Sequence, residues 1–90
     1  MTNDRSAKRI AAIRSRLSAD LEPRLLEITD ESDLHAGHAG ALDGRGHFHV
    51  RIASARFGGL SRLAQHRLVY DSLGDLLTTD IHAVRISAES

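Results

Sequence analysis

Ninety residues suffice for one small domain, and a chain of this size buries only about 60% of its unfolded surface, which argues against a deep enclosed active site. Hydrophobic residues make up 41% and charged residues 27%, so a folded core is expected rather than disorder. The formal net charge is zero and cysteine is absent, which excludes disulfides and any thiolate supplied by this chain, and argues against strong sequence-independent nucleic-acid binding.

Charge is distributed in blocks. Arg5, Lys8, Arg9, Arg14 and Arg16 crowd the first nineteen residues, and Asp20, Glu22, Glu27, Asp30, Glu31 and Asp33 follow. Without interleaved aromatics, the pattern reads as a solvated basic helix beside an acidic strand. The longest apolar runs are three or four residues, against roughly 20 for a membrane span. No apolar signal-peptide core follows the N-terminus, so a cytoplasmic or organellar single domain over residues 1–90 is expected, with no membrane partner.

In chain order, Asn3 or Asp4 can cap a first helix in which Ile10, Ile13 and Leu17 recur at helical spacing, ending near Ser18 to Asp20. Pro23 blocks continuation, and Leu25 to Asp30 suits a strand with Leu26 and Ile28 facing the core. Residues 31–46 contain four Gly, three Ala and two His without a period, which reads as a long loop, and long loops in small domains are often functional. From His47 to Ser54 the residues alternate, with Phe48, Val50 and Ile52 inward and His47, His49 and Arg51 toward solvent. Phe57-Gly58-Gly59 makes a turn, and Ser61 caps a second helix running to about Leu77 unless Gly74 ends it early. The last strand is Ile81 to Ser87, with His82, Val84 and Ile86 sharing the inner face. The order α-β-β-α-β gives a two-layer α+β domain with helices on one face of a three-stranded sheet.

His66 is the residue that stands out. At about 100° per residue, Leu63, Val69, Tyr70, Leu73, Leu76 and Leu77 fall within one arc, His66 points into it, and Leu68 points away. On pattern alone His66 is equally a buried structural ring or a ligand. His35 and His38 form an H-x-x-H spacing that is a poor metal motif by itself, and solvated loop residues are the ordinary reading. A zinc site built from His35, His38 and His47 or His49 lacks an acidic or thiolate ligand at diagnostic spacing.

The strings Leu26-Glu27-Ile28-Thr29-Asp30-Glu31-Ser32 with His35, then His47-Phe48, Phe57-Gly58-Gly59-Leu60-Ser61, Gln65-His66-Arg67-Leu68-Val69-Tyr70 and Ile81-His82-Ala83 resemble the BolA family in order and spacing. The resemblance implies a fold like the type II KH domain and an adaptor that pairs with a monothiol glutaredoxin. It further implies a [2Fe-2S] cluster shared by the pair, for iron sensing, cluster transfer or maturation of other proteins. It departs in two places: Gln65 stands where the family usually has Arg, and many members continue past the last strand into a further helix.

Those implications assign roles. His66 matches the family's helix histidine, His35 the variable loop ligand that is Cys in some members, and His38 is the alternative three residues on. Paired imidazoles can replace thiolates on one iron of a [2Fe-2S] cluster, so a cysteine-free chain supplies the histidine half. The partner's cysteine and glutathione supply the thiolates. Ligation requires neutral imidazole, so cluster binding should weaken as pH falls through the histidine range.

Two other classes stand beside this one. A KH-like fold suggests a DNA-binding transcriptional regulator of stress response and cell morphology, with Arg62 and Arg67 beside the glycine turn contacting phosphates. However, Gly58-Gly59-Leu60-Ser61 follows a strand, whereas the KH clamp is a G-x-x-G loop between helices. An enzyme is not expected: no triad order, carboxylate pair or phosphate loop is present, and Ser61 lies five residues from His66, off helical contact spacing. Alone, the chain is expected to be a monomer or weak dimer.

Overall fold

The computed structural model describes residues 4–32 and 46–90. Helix α1 spans Asp4–Leu21, strand β1 Leu25–Asp30, strand β2 Gly46–Ala53, helix α2 Arg62–Leu73, helix α3 Leu76–Thr79 and strand β3 Ile81–Glu89, with a 3₁₀ turn at Ala55–Phe57. The sheet order is β1-β2-β3, with β1 antiparallel and β3 parallel to β2. A parallel neighbour needs a crossover, and α2 with α3 provides it on the same face as α1. The two-layer α+β architecture is as the sequence indicates. Of the expected loop, residues 33–45, with His35 and His38, lie outside the described residues, and Gly46 begins β2.

Helix α1 ends where Glu22 enters the left-handed region at φ 46°, its N–H donating to Ser18 C=O at 3.3 Å, and Pro23 follows. Its inner stripe of Ile13, Leu17 and Leu21 meets Phe48, Val50 and Ile52 of β2 in one core, closed by Phe57, Val69, Leu73, Leu76 and Ile81. Leu26 and Ile28 of β1 pack against the edge of this core, as their alternation indicates. Ser54 is buried at the end of β2; its hydroxyl donates to Leu21 C=O and accepts from Arg56 N–H, so one side chain joins α1, β2 and the 3₁₀ turn.

Gly74 ends helix α2 early, the alternative the sequence offers, and three expectations need correction. Helix α2 stops at Leu73, not Leu77, because Gly74 takes φ 52° and donates its N–H to Tyr70 C=O at 3.0 Å; a separate short α3 follows. The apolar stripe assigned to the buried side of α2 holds for Val69, Leu73 and Leu76 but is rotated at its edges. Leu63 is 61% and Tyr70 40% exposed, whereas Leu68 packs on the core with Val69 and Leu73. Polar residues hold the helix in this orientation. The Gln65 amide donates toward Phe57 C=O and Leu60 C=O, both at 3.2 Å, and Ser72 Oγ lies 3.1 Å from Arg16 O and 2.8 Å from Asp20 Oδ2. Satisfied inward polar groups cost little to bury, so they can occupy the face that hydrophobicity alone assigns to leucines.

His82 does not face the core. Ile81 is buried, His82 and Ala83 are both exposed, and inward alternation resumes at Val84 because the β2/β3 register shifts between Gly46 and His47. His47 is not on the solvent side in effect: it is 8% exposed, with the His82 ring centroid 5.1 Å from its own. His49 keeps its outward position, its Nε2 2.9 Å from Ser87 Oγ.

Candidate functional site between α2 and β3

Ser61 starts α2 by accepting the Ala64 N–H at 3.1 Å, which commits its hydroxyl to the cap. The turn before it contains Gly59 at φ 77°, a conformation that favours glycine. From this start the helix places Arg62 and His66 one turn apart on the side facing β3. A surface groove runs between them and the strand, lined by Arg51, Arg62, His66, Arg85 and residues 86–89.

His66 is half-buried, at the border between the core face of α2 and the exposed Leu63 and Tyr70. It is neither enclosed in the core nor free of the protein surface. Its ring makes no hydrogen bond with any of the described residues. An imidazole so placed has its direction fixed by the helix and borders the groove.

The cations of the groove differ in their pairing. Arg51 Nη1 donates to Glu27 Oε1 at 3.0 Å and Arg85 Nη2 to Glu31 Oε2 at 2.8 Å; Glu31 holds the Arg85 guanidinium's pKa above its ordinary value. Arg62 is exposed and has no ion pair among the described residues. Arg67 is exposed but does not line the groove, so the structure brings Arg62 and His66 together and leaves Arg67 apart.

Sequence reasoning missed the groove itself, because Arg51, Arg85 and Ser87 are far from His66 in the chain and meet it only through the crossover that carries α2 back to β3. It also missed the buried His47 beside His82, for which the register shift left no sequence signal. Among the described residues, no three His, Asp or Glu side chains are grouped to hold a metal ion. No described helix is long and apolar enough to cross a membrane.

Comparison with known proteins gives a consistent answer. The family model described as "BolA-like protein" matches residues 17–90. SufE-like protein 1, chloroplastic/mitochondrial, of Arabidopsis thaliana is 43% identical over 83 residues, covering 87% of this chain and 22% of that protein. BolA-like protein 1 of Mus musculus is 42% identical over 80 residues, covering 89% of this chain and 56% of that protein. The DNA-binding transcriptional regulator BolA of Vibrio cholerae is 40% identical over 74 residues, covering 82% and 67%. Among solved structures, BolA1 from Arabidopsis thaliana superposes with a TM-score of 0.77 at 35% identity, covering 99% of this chain and 93% of that one. The chain thus spans about a fifth of the SufE-like relative and about half of the mammalian one. With matches of this extent, the chain belongs to the BolA-like protein family.

Proposed function

We propose that this chain is a non-enzymatic adaptor that binds a monothiol glutaredoxin and shares a [2Fe-2S] cluster with it. The single observation that carries the reading is the ring of His66, half-buried at a groove and without a hydrogen bond to the described residues. The donor set fits: with no cysteine, this chain offers imidazole, which can replace thiolate on one iron. His66 would hold that iron with His35, or with His38 three residues on, while the partner's cysteine and glutathione supply thiolates. The exposed Leu63 and Tyr70 beside His66 give a protein partner apolar contact area around the shared site. Family membership and the relative named SufE-like protein 1 support iron-sulfur related work.

The test is anaerobic reconstitution of the chain with a monothiol glutaredoxin, glutathione, iron and sulfide, followed by visible circular dichroism. A heterocomplex spectrum distinct from that of the glutaredoxin alone, and lost or altered in His66→Ala, is the expected result. A spectrum identical with and without this chain refutes the reading.

A second reading, DNA binding, is favoured by the regulator among the relatives and by Arg62, whose guanidinium is without an ion pair among the described residues. Phosphate contacts would make affinity fall steeply with salt, and Arg62→Ala would reduce that slope by about one.

A further inference from the structure

The two edges of the sheet are treated differently. Beside β1 lies α1, and Arg14 Nη1 donates to Leu26 C=O at 3.4 Å. Strand β3 is the other edge, nine residues without proline, and no described strand pairs beyond it. Its hydrogen-bonding direction can be read from its end: Ser54 N–H donates to Glu89 C=O at 3.0 Å, so Glu89, Ser87 and Arg85 direct their backbone groups toward β2. Val84, Ile86 and Ala88 therefore turn their N–H and C=O groups away from the sheet. Ile86 and Ala88 line the groove.

We propose that the β3 edge accepts an extended peptide segment as a fourth strand, with an acidic side chain of that segment on Arg62. Main-chain hydrogen bonds to Val84, Ile86 and Ala88 would give the affinity, as in strand addition generally, and the helix wall the selection. A long unprotected edge is a liability that proteins usually blunt with proline, a bulge or a covering element. Here the register shift interrupts β3 only before Val84, and beyond it α2 is separated from the strand by a groove. Its rim bears the guanidinium of Arg62, which pairs with no described carboxylate, while Arg51 and Arg85 are already matched by Glu27 and Glu31. The occupant is thus an extended segment with an acidic residue and side chains that alternate across the sheet. The proposal requires no cluster.

The experiment uses the full chain without iron or sulfide, and a fluorescein-labelled seven-residue peptide alternating valine and glutamate. Anisotropy measures binding, and amide hydrogen exchange reads the site. The expected result is saturable binding, with slowed exchange at the amides of Val84, Ile86 and Ala88. Ala88→Pro removes one outward donor without touching the ladder to β2 and should weaken binding about tenfold. Arg62→Glu should weaken it by a similar factor while leaving the fold unchanged. A lysine-for-glutamate peptide should bind less tightly. Absence of binding, or binding without protection of those three amides, overturns the proposal. So does tighter binding of an oligothymidylate than of the peptide, or sedimentation showing that a second copy of the chain occupies the edge.

Discussion

The rotation of α2 places His66 at the surface, and a pair of leucine truncations tests it. Leu73 is fully buried, and Leu→Ala at such positions costs about 3 kcal/mol or more through lost transfer energy and the cavity left behind. Leu63 is 61% exposed, so about two-fifths of that contact is at stake and Leu63→Ala should cost about 1 kcal/mol or less. The difference, about 2 kcal/mol, corresponds to roughly 8–16 °C in Tm for a domain of this size. Thermal and urea unfolding followed by far-ultraviolet circular dichroism resolve that gap easily. A Leu63→Ala loss equal to that of Leu73→Ala would mean that the helix presents Leu63 to the core, and the reasoning about His66 would fail with it.

Three further outcomes are expected. Ser54→Ala should cost about 1–3 kcal/mol in urea unfolding, since it strips Leu21 C=O and Arg56 N–H of a partner at a buried junction. Gly46→Ala should cost about 1–3 kcal/mol by the same measurement, because an added Cβ would stand 2.5 Å from the Phe48 ring, which is 1% exposed and has little room to move. Asp30 is partly buried, which opposes its charge, but hydrogen bonds from Ser32 and Ser6 and the Arg9 charge prevail and lower its pKa. Its contribution is present above the ordinary aspartate value and lost as pH falls through the lower folded value. Asp30→Asn should therefore melt below wild type at pH 6, and the gap should close as pH falls below the ordinary aspartate value.

Much of the fold is legible in local pattern, and the failures share a cause. The α1 stripe, the β1 boundaries and the inward Phe48, Val50 and Ile52 follow from periodicity, because each of these elements buries one apolar face. Helix α2 follows it only in part, since Val69 and Leu73 are buried as the stripe indicates. Gln65 and Ser72 point inward and are satisfied by Phe57 C=O, Leu60 C=O and groups of α1, while Leu63 and Tyr70 point outward. Hydrogen bonds from outside the helix decide that rotation, and a helical wheel cannot contain them. His82 fails for a related reason: a shift in strand register changes which face a residue occupies, and register belongs to the pair of strands.

For the site, the sequence isolates His66 and Arg62, but not the groove that joins them to Arg51 and Arg85. His66 stands at the edge of an apolar stripe whose Val69, Leu73 and Leu76 are buried and whose Leu63 and Tyr70 are exposed. The ring's position between core and solvent is what makes it available, and it is a product of the same rotation.

The proposed ligation of iron by an imidazole of this chain can be read directly. The most direct measurement is electron spin echo modulation of the reduced heterocomplex, with this chain carrying ¹⁵N-labelled histidine and the glutaredoxin unlabelled. Strong ¹⁵N coupling in wild type, lost or reduced in His66→Ala, is the predicted result. A reduced cluster with no ¹⁵N coupling would refute histidine ligation, since every ligand would then come from the partner and glutathione.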